Sequence, residues 1–170
     1  MKTKDITSIA LIAAIYTVVS LVLAPFSFDA VQVRIAECLT MLPLIYKPSI
    51  YALGIGCFLT NILGVFNGSN PLGFVDAIVG TTATVLGAYV TYKYRDKKIK
   101  GIPLISILSP VIFNSIFVGI ELAYLYMPDN FVFGTVTMGV SVGIGELVSV
   151  VIGYFVIQGL EARGIFKENQ

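Results

Sequence analysis

The chain has 170 residues, of which 56% are hydrophobic and only 12% charged, with a mean hydropathy of +0.89. Soluble domains carry about 25% charged residues, so this composition excludes an ordinary soluble domain and predicts one integral membrane domain over residues 1–170. The net charge is +1 and histidine is absent, which excludes histidine-based catalysis and most transition-metal sites.

The spacing of the cysteines and the lack of a phosphate-binding loop motif exclude further classes of site. Cys38 and Cys57 lie far apart in apolar runs and form no Cys-x-x-Cys pair, so they are interpreted as packing residues. No G-x-x-x-x-G-K-[ST] loop occurs, so the chain has no visible means of binding ATP. The sequence therefore predicts a protein that is not an enzyme and needs no cofactor.

Six apolar segments predict six transmembrane helices. A spanning helix needs about 20 largely apolar residues. The candidates are residues 6–25, 32–46, 49–66, 72–92, 103–126 and 132–158. The second is short, which predicts a helix that is tilted or shielded by its neighbours. The expected fold is an all-α bundle of six membrane spans.

Basic residues predict the orientation of this bundle. With six spans, nearly all of them fall on one side of the membrane, and the opposite loops contain Asp and Asn but no Lys or Arg. The positive-inside rule then places both termini in the cytoplasm, with the protein in the plasma membrane. The run 93–100 is accordingly interpreted as a topology signal and not as a nucleic-acid patch. The basic residues on this side are Lys2, Lys4, Lys47, Lys93, Arg95, Lys97, Lys98, Lys100, Arg163 and Lys167.

Five ionisable residues lie within the predicted spans, in their outer to middle part: Arg34, Glu37, Asp76, Glu121 and Glu146. Each costs on the order of 2.5–3.5 kcal/mol on insertion scales, so such residues usually face a cavity, a partner or a ligand. Four carboxylates and one guanidinium, if all were ionised, would carry a formal charge of −3. That charge requires protonation or a cationic, donor-rich guest. The sequence thus predicts a pocket, open to the outside, for a small molecule rich in N–H donors.

Structural roles remain open for several of these residues. Arg34 and Glu37 are spaced i,i+3 and are compatible with a purely structural ion pair. Asp76 is close enough to its helix end to act as a local cap. Asn114 lies seven residues before Glu121 on the same helical face, where it either joins two helices or contacts a ligand.

Small residues on the first span predict a docking face. Ala10, Ala13 and Ala14 occur at helical spacing near the cytoplasmic side. Small residues allow two helices to approach closely in lipid, so this face is suited to another membrane protein.

Four stretches of the sequence are similar to one transporter family. The stretches are Gln32-Val-Arg-Ile-Ala-Glu37 with Leu42-Pro43, Asn70-Pro-Leu-Gly-Phe-Val-Asp76 with Gly80, Asn114 with Val118-Gly119, and Gly145-Glu146. In these stretches the chain resembles the queuosine-precursor transporter (QueT) family, which comprises substrate-binding (S) components of energy-coupling factor (ECF) transporters.

The resemblance implies a six-helix S component energised by a transmembrane coupling subunit and two cytoplasmic ATPases, with Ala10, Ala13 and Ala14 docking on the coupling subunit. It implies a 7-deazaguanine substrate: preQ0, preQ1 or queuine. A carboxylate of Glu37, Glu121 or Glu146 would accept from the guanine edge, and Asp76 from a side-chain amine. Glu121 lies in no family motif. The predicted substrate-binding residues are Gln32, Arg34, Glu37, Asn70, Asp76, Asn114, Glu121 and Glu146, of which all but Glu121 lie in the matching stretches.

Two other functions are considered as alternatives to an S component. A solitary proton-coupled carrier would use Glu121 and Glu146 as a relay. An intramembrane enzyme is disfavoured, because no histidine and no nucleophile–base pair is visible.

Overall fold

The computed structural model describes residues 3–24 and 34–163, and this part of the chain is helical. Five of its helices are long and apolar enough to cross a membrane. The prediction of an all-α membrane protein is confirmed, whereas six spans and the orientation stay predictions. The helices are α1 (Thr3–Val22), a 3₁₀ helix η1 (Ile35–Leu44), α2 (Ser49–Phe66), α3 (Phe74–Lys93), α4 (Leu104–Tyr126), a short 3₁₀ helix η2 (Pro128–Asn130) and α5 (Phe131–Ala162).

The helix η1 replaces most of the predicted second span, residues 32–46. A 3₁₀ helix rises about 2.0 Å per residue, so its ten residues cover roughly 20 Å, less than the ~30 Å hydrocarbon core of a bilayer. Pro43 lies inside it and has no N–H to donate. The predicted shortness of this segment is therefore seen, and η1 by itself is too short to span a membrane.

The helix η1 packs inside the bundle. Helices that follow each other in sequence pack side by side from α1 to α5, and η1 contacts all five. Met41 and Leu42 of η1 form an apolar cluster with Val150 and Ile157 of α5. At this crossing a Cβ on Gly153 would collide with the backbone carbonyl of Cys38. Only glycine at this position permits so close a contact.

A second apolar cluster joins α1, η1, α2 and α3. It contains Tyr16, Ala36, Leu53, Cys57 and Ala88, all essentially inaccessible to solvent. Cys57 therefore lies in the core, in agreement with its interpretation as a packing residue. This cluster fixes the height of Tyr16 and Cys57 beside the first turn of η1, where the polar residues begin.

Several basic segments meet at one end of the bundle. The Tyr46 hydroxyl, just beyond η1, lies 3.2 Å from the Asp5 carboxylate at the start of α1. Lys47 and Arg95, which follow η1 and α3, both lie over the ring of Tyr92. The loops that the sequence assigns to one membrane side are thus neighbours in the fold.

Candidate substrate-binding site

Glu37 forms the centre of a buried polar cluster. It lies in the first turn of η1 and is fully buried. Its Oε1 accepts hydrogen bonds from the Tyr16 hydroxyl at 2.5 Å and from the Thr84 hydroxyl at 3.1 Å. Arg34 Nη2 is 3.8 Å from the same oxygen. Side chains from α1, from α3 and from the residue before η1 therefore converge on one oxygen of the Glu37 carboxylate.

The guanidinium of Arg34 is the positive charge shared by the cluster. It is only 4% exposed, and its Nη2 donates to the Cys57 sulfur at 3.5 Å. It interacts electrostatically with Glu37 and Asp76, and also with Glu121 and Glu146. The structure thus brings together the five ionisable residues that the sequence placed at similar depth, and Arg34 is more than a partner of Glu37 alone.

Asp76 is held at the start of α3 by the preceding turn. Asn70 Oδ1 accepts from the Leu72 N–H at 3.0 Å, and Asn70 Nδ2 donates to Asp76 Oδ2 at 3.0 Å. Gly73 has φ of +71°, a conformation that favours glycine. The Asn-Pro-Leu-Gly stretch therefore has a structural reason: it turns the chain and orients the Asp76 carboxylate.

The other side of Asp76 is bounded by Gly80 and Asn61. Asn61 Nδ2 donates to the Asp76 carbonyl at 2.9 Å. A Cβ on Gly80 would collide with Asp76 Oδ1 and lie 3.2 Å from Asn61 Nδ2. Gly80 thereby provides the space in which the carboxylate lies. Asp76 Oδ1 has no hydrogen-bond partner among the described residues.

Four further predicted residues carry polar atoms that the described part of the chain leaves unpaired. They are Oε2 of Glu37, both amide atoms of Asn114, both carboxylate oxygens of Glu121, and Oε1 of Glu146. Asn114 and Glu146 are fully buried, and Glu121 is 8% exposed. Buried polar groups are nearly always hydrogen-bonded, since an unsatisfied one costs about 1–3 kcal/mol. A polar ligand bound beside the Arg34 guanidinium would supply hydrogen-bond partners for the unpaired atoms on α4 and α5.

The comparisons with known proteins identify the family of the chain. A family model described as "QueT transporter" matches residues 6–162. The chain belongs to this family. The queuosine precursor transporter QueT of Lactococcus lactis subsp. cremoris (strain MG1363) is 29% identical over 171 aligned positions, which cover 95% of each chain. No solved structure gives a significant match.

Membership of the QueT family confirms the predicted resemblance and agrees with the helices. A chain with five long apolar helices in a transporter family is a multi-pass membrane protein, consistent with the plasma membrane. No group of three or more His, Cys, Asp or Glu side chains that could hold a metal ion occurs among residues 3–24 and 34–163.

Two residues of the cluster carried no signal in the sequence. Tyr16 and Thr84 donate to Glu37, yet tyrosine and threonine are common in apolar helices, so neither attracts attention there. Tyr16 is one of the largest fully buried side chains in the described structure. No pattern within α1 or α3 indicates either hydroxyl, because its role depends on Glu37 lying opposite it. Gln32, the first of the predicted site residues, lies outside the described residues.

The predicted docking alanines of this QueT-family chain do not share one face. Ala10 and Ala14 are exposed, one helical turn apart, on the lipid side of α1. Ala13 is 3% exposed and packs toward α2, where a Cβ on Gly56 would lie 3.1 Å from the Ala13 carbonyl. Ala10 and Ala14 are therefore accessible to another helix, whereas Ala13 takes part in packing within the chain.

Proposed function

We propose that this chain is the substrate-binding S component of an ECF-type importer, and that it captures a 7-deazaguanine from outside the cell. The observation that carries the proposal is the set of unpaired buried carboxylate and amide atoms around Arg34 in a QueT-family chain. The printed name of the Lactococcus relative, a queuosine precursor transporter, supports the substrate class. The preferred base is one of preQ1, preQ0 and queuine.

Glu121 is the residue best suited to the guanine edge of such a base. That edge presents two adjacent N–H donors, which one carboxylate accepts through both oxygens. Both oxygens of Glu121 are unpaired among the described residues, whereas only Oε2 of Glu37 is, because Glu37 Oε1 already accepts from Tyr16 and Thr84 and lies beside Arg34. Glu37 therefore fixes the geometry of the cluster, and Glu121 binds the base.

Asp76 and Asn114 complete the recognition of the ligand. The amide of Asn114 offers a donor for the ring carbonyl, and both of its polar atoms are unpaired in the described structure. Asp76 Oδ1 is the free acceptor for a cationic aminomethyl group, which preQ1 has and preQ0 lacks. A binding preference for preQ1 over preQ0 is therefore expected to depend on Asp76, which Asn70 and Gly80 hold in place.

Calorimetric titration of the detergent-purified chain with preQ1, preQ0 and queuine tests the proposal. One of the three should bind tightly, and Glu121→Gln should weaken it by roughly thirtyfold or more, because removing one partner of a buried charged hydrogen bond costs about 2–5 kcal/mol. Asp129→Asn, an exposed carboxylate on the predicted outer side, serves as the matched control and should change nothing. Failure of all three bases to bind folded protein would overturn the substrate class.

The energy source is tested separately from the ligand. The sequence has no phosphate-binding loop, and the exposed Ala10 and Ala14 offer a face for a coupling subunit. Vesicles containing this chain together with the coupling subunit and two ATPases should accumulate the base when ATP is present. Vesicles containing the chain alone should not. Accumulation by the chain alone under a pH gradient would favour the solitary proton-coupled carrier instead.

A further inference from the structure

A cavity of about 680 Å³ lies at the basic end of the bundle, opposite the carboxylate cluster. It opens where η1, α3 and α5 end and α4 begins. Three of these helices, α3, α4 and α5, are long and apolar enough to cross a membrane. Their ends therefore place the cavity at the level of the lipid head groups. None of the seven predicted substrate-binding residues that the structure describes lines it.

The walls of this cavity are of two kinds. One part is apolar and is contributed by Leu44, Ile45 and Ile157, which continue the apolar cluster between η1 and α5. The other part carries the cationic side chains of Lys47, Arg95 and Lys98. Asp96 and Glu161 also line it, so cations outnumber anions there. A cavity with an apolar wall and a cationic rim matches an amphiphile with a negative head.

Tyr92 holds two of these cations at the mouth of the cavity. Lys47 Nζ is 5.2 Å from the centre of its ring, and the guanidinium carbon of Arg95 is 4.2 Å from it. Arg95 Nη1 also donates to the Tyr92 carbonyl at 3.1 Å, which fixes the guanidinium. Among the described residues, Arg95 forms one ion pair, with Asp96 at 3.8 Å. The Asp96 side chain is 86% exposed and therefore well solvated. Because two positive charges lie close to the same ring, a negatively charged group near both of them is stabilised.

We propose that this cavity binds the phosphate head group of an anionic phospholipid. Lys47 and Arg95 contact the phosphate, and the upper part of an acyl chain lies along Leu44 and Ile157. Basic pockets between transmembrane helices on the cytoplasmic side are general sites for anionic head groups. The positive-inside rule explains why basic residues occur in these loops. It does not explain why Lys47 and Arg95, from two different loops, lie over the same tyrosine ring beside a cavity.

The test compares two lipids on the detergent-purified, full-length chain. Native mass spectrometry measures how much phosphatidylglycerol and phosphatidylcholine remain bound as each lipid is titrated. The wild type should retain phosphatidylglycerol preferentially. The double variant Lys47→Gln/Arg95→Gln should weaken its binding by at least tenfold, since each basic residue near an anionic lipid contributes roughly a fivefold effect. Thermal unfolding of each variant shows that it is folded.

The chain offers a control with the same loss of charge. Lys93 and Lys97 lie over the neighbouring rings of Tyr89 and Tyr94 and do not line the cavity. Lys93→Gln/Lys97→Gln should change phosphatidylglycerol binding less than twofold. If both double variants weakened phosphatidylglycerol binding equally, surface charge alone would explain the effect, and the proposed site would be wrong. Equal binding of both lipids by the wild type would overturn it as well.

A second arm separates a lipid from free phosphate. Inorganic phosphate should displace phosphatidylglycerol no better than chloride does at the same ionic strength, because it lacks the acyl chain that contacts Leu44 and Ile157. Displacement by phosphate alone would identify a free-phosphate site and overturn the lipid assignment.

Discussion

Tyr16 and Thr84 explain how a carboxylate can lie fully buried at position 37. Their hydroxyls and the Arg34 guanidinium supply donors or charge to one oxygen of Glu37. A second contact comes from η1 itself, where the Thr40 hydroxyl donates to the Glu37 carbonyl at 2.6 Å. Glu37 is thus oriented from both its side chain and its backbone, which makes the first turn of η1 a rigid edge of the site.

Tyr16→Phe removes one of these donors without changing the volume of the core. We expect a loss of about 1–3 kcal/mol in the free energy of unfolding, because a buried carboxylate loses a hydrogen bond. Ligand affinity should fall as well, since Glu37 is then free to turn. Chemical unfolding in detergent and calorimetry measure the two effects. Tyr124→Phe, an exposed tyrosine on α4, is the control; equal effects of both variants would contradict a positioning role for Tyr16.

Gly80→Ala tests the space around Asp76. The added methyl group collides with Asp76 Oδ1, so the carboxylate must turn away from its place beside Asn70 and Asn61. We expect preQ1 binding to weaken more than preQ0 binding, because only preQ1 carries the amine assigned to Asp76. Calorimetry with both ligands measures the ratio. Gly159→Ala, whose Cβ meets nothing within 4 Å, should leave that ratio unchanged and slightly stabilise α5.

The ionisable residues of the site could be predicted from the sequence, and the hydroxyls could not. A charged side chain such as Glu146 in an apolar helix is costly, so its presence alone indicates a function. A hydroxyl such as that of Tyr16 or Thr84 costs little there, and its importance depends on which side chain lies opposite. That information is tertiary, and no spacing within a single helix contains it.

At the scale of elements, hydroxyl groups join α3 to α4. The Thr91 hydroxyl donates to the Ser106 carbonyl at 2.9 Å and lies 3.0 Å from the Ser109 hydroxyl. Ser106 and Ser109 in turn donate to the carbonyls of Thr91 and Gly87. All of these side chains are buried. Because helices in lipid gain little from apolar burial, such bonds help to fix one helix against another.

Thr91→Val should loosen this contact while keeping the shape of the side chain. We expect a loss of about 0.6 kcal/mol and at most about 1.7 kcal/mol, the average and the maximum measured for hydrogen bonds between membrane helices. Unfolding in mixed detergent micelles measures it. Thr82→Val on the same helix is the matched control, because the exposed Thr82 hydroxyl bonds only to the Ile78 carbonyl of its own helix. A Thr82→Val effect as large as that of Thr91→Val would contradict the assignment.

The helices themselves differ in how well sequence predicts them. Five predicted spans correspond to α1–α5 with ends that shift by a few residues, because about 20 apolar residues leave little alternative to a helix. The conformation of η1 was not predicted. Over ten residues a repeat of 3.0 is hard to distinguish from one of 3.6, and only the contacts with five surrounding helices select the 3₁₀ form.

At the scale of the whole molecule, the predicted orientation places the carboxylate cluster toward the outside and the basic cavity toward the cytoplasm. The two features lie toward opposite ends of the bundle, so one labelling experiment assigns both. In intact cells, Asp129→Cys should react with a membrane-impermeant maleimide, and Lys98→Cys should react only after permeabilisation. Both positions are exposed. The unsubstituted chain, in which Cys57 is buried and Cys38 partly so, gives the background. The reverse pattern would invert the orientation.

The central position of η1 couples two properties that proteins often vary separately. Its ten residues supply Glu37 to the polar cluster and Met41 and Leu42 to the apolar core. A substitution in η1 that changes the packing of Met41 or Leu42 also displaces the Glu37 carboxylate. A substitution that moves the carboxylate likewise disturbs the packing. Changes of substrate preference within this scaffold are therefore expected to evolve through residues on α3, α4 and α5, while η1 changes slowly because few of its substitutions preserve both properties.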